Sequence, residues 1–154
     1  MTVSLLALLI GIVAGLRTMM APAAVSWAAH LGWLRLDDTP LAFMGYAWVT
    51  ALLTVLAAGE LVTDQLPSTP SRTVPLQFGG RIATGALSGA AIGAASGSWV
   101  TGAIAGIIGA VIGTLGGRAA RARLTAAFGK DRPAALIEDA VAILAAFAIV
   151  NAVP

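Results

Sequence analysis

An all-α, polytopic helical membrane protein is what this sequence predicts, and three observations carry the prediction. Of the 154 residues, 58% are hydrophobic and 10% are charged, against about 25% charged in a soluble domain. The apolar residues fall in continuous runs, not in the polar/apolar alternation of a membrane β-barrel. Third, glycine recurs at four-residue intervals through 85–117, and no residue from Ile82 to Gly117 is charged. In water each such glycine would cost a helix about 1 kcal/mol against alanine. In lipid, where burying apolar surface supplies no drive, a smooth glycine face lets two backbones approach and pack.

These runs predict one integral domain, 1–154, with about five to six membrane segments. The first unit, 3–16 and 20–33, is one apolar stretch interrupted by Arg17. As a single helix it would measure about 45 Å against a hydrocarbon core of about 30 Å. A break is therefore expected between Gly15 and Pro22, giving two short spans or a re-entrant hairpin, with Pro22 as the first residue of the second half. No Lys or Arg precedes the run and Arg17 follows it, which argues against a cleaved leader. The turn 34–40 holds Arg35, Asp37 and Asp38, and Asp38 or Thr39 is placed to cap the next segment, 41–64. A loop with Pro67, Pro70 and Pro75 follows; its P-x-x-P spacing reads as a stiff connector.

The segments 79–97 and 99–117, the latter continuing to about 128, form the glycine-rich central hairpin, turning near Ser96-Gly97-Ser98. Gly85, Gly89, Gly93, Gly97, Gly102, Gly106, Gly109 and Gly113 are its expected packing positions. Gly129 is a plausible helix C-cap before the last segment, 133–152.

Orientation follows from Lys and Arg. The loops 65–81 and 118–132 hold seven of the nine basic residues, which places both in the cytoplasm and the turn 34–40 and the C-terminus outside. If the first unit is two passes, the chain divides into three plus three of opposite orientation, a geometry that small transporters use. Arg118, Arg121, Arg123, Lys130 and Arg132 are expected to meet anionic lipid headgroups.

Two stretches carry a family resemblance. One is Gly15-Leu-Arg-Thr-Met-Met-Ala-Pro-Ala-Ala-Val-Ser-Trp27. The other is Glu60-Leu-Val-Thr-Asp-Gln-Leu-Pro67, followed by Pro70-Ser-Arg72 and Gly80-Arg81. Together they resemble a family of small bacterial integral membrane proteins catalogued as a domain of unknown function. The resemblance implies a multi-pass protein of the bacterial inner (plasma) membrane. It implies no reaction, substrate or catalytic residue.

Cysteine is absent and His30 is the single histidine, which excludes disulfides, thiol catalysis and multi-His metal sites. No nucleophile–base pair, phosphate loop or metal cluster is visible, so no enzyme, metal or cofactor is expected. A pair of His30 with Ser26 reads as structural. Nucleic acid is not an expected partner of so short a basic segment. The expected partners are the bilayer and its anionic headgroups, and homo-oligomers are left open.

The charges set among apolar residues are the candidates for chemistry. An arginine at mid-membrane costs about 3 kcal/mol. Arg17 either marks an interface or pairs with an acid and lines a polar cavity. The candidate polar site comprises Arg17, Glu60, Arg81, Glu138 and Asp139, with Arg17 paired to Glu60. Asp64, one turn beyond Glu60, reads as an ordinary helix-end charge. Glu138 and Asp139 lie about 100° apart on a helix, so one is expected inside and one toward headgroups. Two functions follow: a transporter or channel-like permease for a small solute, or a non-transporting scaffold or lipid-organising protein.

Overall fold

Helix α1 (Val3–Leu16) stops where Arg17 turns extended, with φ −138° and ψ 115°. Helix α2 (Met20–His30) starts three residues later, so the break falls within the expected interval. Pro22 is the third helical residue, not the first, and its missing N–H still costs little in an opening turn. The computed structural model describes residues 2–66, 71 and 73–154. Pro67, Pro70 and Arg72, with the P-x-x-P spacing, lie outside the described residues. Among those described the chain is all-helical: a 3-10 turn at Ala42–Gly45 leads into α3 (Ala47–Thr63), then α4 (Pro75–Ala94), α5 (Trp99–Phe128) and α6 (Asp131–Asn151).

Helix α3 begins later than 41. The Thr39 hydroxyl donates to the Leu36 carbonyl and accepts from the Leu41 N–H, closing a turn instead of capping a helix. Leu34 and Leu36, each 2% exposed, pin this segment to the bundle. Pro75 opens α4 at its first turn. Between α4 and α5 the backbone reverses at Gly97, φ +73°, and the Ser98 N–H returns to the Gly93 carbonyl at 2.9 Å. Gly129, φ +66°, ends α5 in the left-handed conformation expected of a C-cap.

Helices α1, α4 and α5 form the tightest part of the bundle. Gly85 faces Gly106 and Ala110, Gly89 faces Gly102 and Gly106, and Gly93 faces Ser98 and Gly102, so α4 and α5 run antiparallel. Gly11 faces Gly106 while Gly15 faces Ala110, Gly113 and Thr114, so α1 runs parallel to α5. The glycine hairpin is thus a three-helix unit: α5 offers Gly102 and Gly106 to α4, and Gly109 and Gly113 to α1. Gly97 is no packing position. A Cβ added there would meet no atom within 4 Å, and Gly97 serves the turn.

Helix α2 touches α3, α4 and α6, and α3 packs mainly on α2 and the 3-10 turn. Ser26 Oγ fixes this corner, bonded to the Met44 carbonyl and, at 2.9 Å, to Thr50 Oγ1. His30 serves the Gly45 carbonyl instead of Ser26. α4 packs closely on α5 while α1 meets α2 only lightly, so the two halves of the chain are not equivalent in packing. Helices α5 and α6 are each long and apolar enough to cross a membrane; α1 and α3 are shorter apolar helices.

Candidate functional site

The break between α1 and α2 leaves carbonyls unpaired at the end of one helix and N–H groups at the start of the next. Two side chains from distant segments satisfy them. Arg81 Nη1, from α4, donates to the Gly15 carbonyl at 2.6 Å and to the Leu16 carbonyl at 2.9 Å. Glu60, from α3, accepts the Thr18 N–H at 2.6 Å and the Met19 N–H at 2.7 Å. Each charge matches the partial charge of the helix end it meets. Arg81 and Glu60 themselves stand 4.0 Å apart. The segments 15–27, 60–66 and 80–81, which carry the family resemblance, meet here.

Arg17 occupies the break and is fully buried. Its guanidinium pairs with Asp64 just past α3 and, at 2.5 Å, with Asp139 of α6; Glu138 lies 3.8 Å away. Gln65 Nε2 donates to the other Asp139 oxygen at 3.0 Å. Arg121 of α5 closes the far side, bonding Asp131 at 2.5 and 2.9 Å and approaching Glu138 at 3.6 Å. One buried arginine therefore joins α3 and α6 to the α1–α2 break. Burying it is tolerable because carboxylates surround it.

Arg17, Glu60, Arg81, Glu138 and Asp139 thus gather at one end of the bundle, but two expected pairings differ. Glu60 caps α2 and is not a partner of Arg17. Asp64 takes that place. It shares a face with Glu60, so the i, i+4 spacing held the signal: once Glu60 turns inward, Asp64 follows. Gln65 carried no such signal. Glu138 and Asp139 are both buried, 7% and 9% exposed, because arginines approach them from α5 and from the break. Arg121 joins this network through Asp131 and Glu138; Arg118, Arg123, Lys130 and Arg132 are exposed.

Two cavities flank α3. A partly polar cleft of about 720 Å³ lies between α3, the break and the first turn of α4, where Thr18, Glu60, Thr63, Asp64 and Gln77 share the lining with Met19, Val55, Leu56 and Leu66. An apolar groove of about 450 Å³ separates α3 from α6, with Trp27, Trp33 and Phe147 in its wall. Among the described residues no group of His, Cys, Asp or Glu is placed to hold a metal ion.

Neither the curated proteins nor the solved structures hold a match to this chain. A family model, described as a domain of unknown function (DUF4126), matches residues 4–153. That span takes in every segment meeting at the break, and the chain belongs to the DUF4126 family.

Proposed function

We propose that the protein is a multi-pass protein of the bacterial inner membrane, with five to six membrane segments, that acts as a permease for a small solute. The observation that carries this reading is a fully buried arginine, ion-paired to carboxylates on two helices, beside an open polar cleft. Intramembrane charges of this kind mark solute and ion pathways. The membrane assignment draws on the outer surface, where Leu52 and Val55 of α3, Ile104, Ile108 and Ile112 of α5, and Leu144 and Phe147 of α6 are exposed. It also draws on length: the uncharged part of α5, 99–117, measures about 28 Å, close to the hydrocarbon core of about 30 Å. Gly15 is level with Thr114, and on this reading Arg17 lies near the inner edge of that core.

Purified protein in liposomes, screened for uptake of cationic, anionic and neutral small solutes, tests the permease. Uptake above empty liposomes is expected for at least one class. It should fall in Leu56→Trp, which narrows the cleft without removing a charge. Uptake equal to empty liposomes across all classes overturns the reading.

The alternative is a non-transporting scaffold or lipid-organising protein. Arg118, Arg123, Lys130 and Arg132, exposed at one end of α5 and the start of α6, favour it. Such residues attract anionic headgroups by about 1 kcal/mol each near the surface.

Topology is testable in either case. Because the chain has no cysteine, single cysteines report cleanly. A cysteine at position 38 should react with an impermeant thiol reagent in intact cells, and one at position 125 only after permeabilisation. The reverse pattern would invert the orientation and place the charge network on the outer side.

A further inference from the structure

We propose that the polar cleft accepts small organic cations, protonated amines with a short apolar body. This rests on the reading of the cleft as the solute site. The charges around it are layered. Glu60 and Asp64 line the cleft with side chains 13% and 12% exposed. The arginines nearest them, Arg81 and Arg17, are 3% and 0% exposed and stand behind, outside the cleft wall. A solute in the cleft meets negative charge first.

Asp64 is only half engaged. Its Oδ2 takes Arg17, while Oδ1 accepts no hydrogen bond among the described residues. A charge-assisted hydrogen bond from an ammonium group fits that oxygen. Glu60 adds charge but little bonding capacity, since both its oxygens already take N–H groups. Thr18 and Gln77 add polar atoms to the lining, and Met19, Val55, Leu56 and Leu66 supply apolar surface. The apolar share favours an organic cation over a bare metal ion, which would need more oxygen ligands. A volume of about 720 Å³ suits a small molecule. An anion would face two carboxylates, and among the described residues no cation lines the cleft.

The test is a ligand titration of the purified full-length protein in detergent, followed by thermal shift and calorimetry. The probes are n-butylammonium, 1-butanol and butyrate, alike in size and different in charge. Saturable binding of n-butylammonium is expected, with no response to the other two. Asp64→Asn should weaken it roughly 10- to 100-fold, the loss of one hydrogen bond to a charged group. If Asp64→Asn fails to fold, Leu56→Trp reads the same site with every charge in place and should weaken the response by narrowing the cleft. An equal response to 1-butanol or butyrate, weakened in Leu56→Trp, overturns the cation preference and leaves the solute site standing. No n-butylammonium binding, or binding unchanged in Leu56→Trp, overturns the proposal. In that case the permease reading stands or falls on the uptake screen alone.

Discussion

Arg17→Met should remove most of the folded protein, and neutralising the carboxylates opposite should bring part of it back. Arg17 is fully buried and pairs with Asp64 and Asp139, with Glu138 nearby. Without it, these largely buried carboxylates repel one another with no guanidinium between them. Breaking a buried pair from one side costs about 3–5 kcal/mol, because the orphaned charge stays where it is. Removing both sides costs less. The triple variant Arg17→Met, Asp64→Asn, Asp139→Asn should therefore recover folded yield relative to Arg17→Met alone. Arg17→Met with Glu60→Gln should not, since Glu60 bonds the Thr18 and Met19 N–H groups instead. Monodisperse yield in detergent and thermal unfolding, followed by the four tryptophans, measure both. Additive effects of Arg17 and its two carboxylates would mean the pairing contributes nothing, and recovery through Glu60 would place the partner wrongly.

Alanine at Gly106 should be damaging, although one methyl is the smallest possible intrusion. The added carbon would overlap the Gly85 carbonyl oxygen, lie 2.9 Å from the Gly85 carbonyl carbon and 3.1 Å from the Gly89 Cα. These are backbone atoms of α4, so no side chain can rotate away. On the other flank, Gly11 of α1 abuts the Gly106 backbone. To admit the methyl, α4 must move off α5, and the α1 contact is disturbed with it. Overpacking of this kind costs about 1–3 kcal/mol or more. Leucine at Gly106 should prevent folding altogether. Gly116 is the control: nothing lies within 4 Å of an added carbon there, and alanine should gain helix propensity, up to about 1 kcal/mol. Equal melting temperatures for Gly106→Ala and Gly116→Ala would show that α5 does not pack through Gly106.

The uneven tolerance of these glycines could not be read from their spacing. Gly97 continues the four-residue series on paper, yet it turns the chain with φ +73°. Gly11 and Gly15 sit outside the series, yet their backbones lie against α5 as closely as any glycine of α4. Spacing describes one helix, and which partner a face meets depends on how three helices cross.

What this sequence determined by itself is what short-range physics controls. The scarcity of charge and the length of the apolar runs dictate a helical, membrane-compatible chain. An arginine followed by proline within a run too long for one helix dictates a break. A glycine after the last periodic residue sets the C-cap at Gly129. Five charges among apolar residues stood out because such charges need partners. The tertiary structure decided the pairing. Asp64 and Glu60 are one helical turn apart, and which of them reaches Arg17 is settled by where the N–H groups of Thr18 and Met19 emerge. Those groups take Glu60, Arg81 takes the carbonyls of the preceding helix, and Arg17 is left to Asp64 and Asp139. An orphaned helix end has no signature in sequence, because the side chain that satisfies it comes from 41 to 66 residues away.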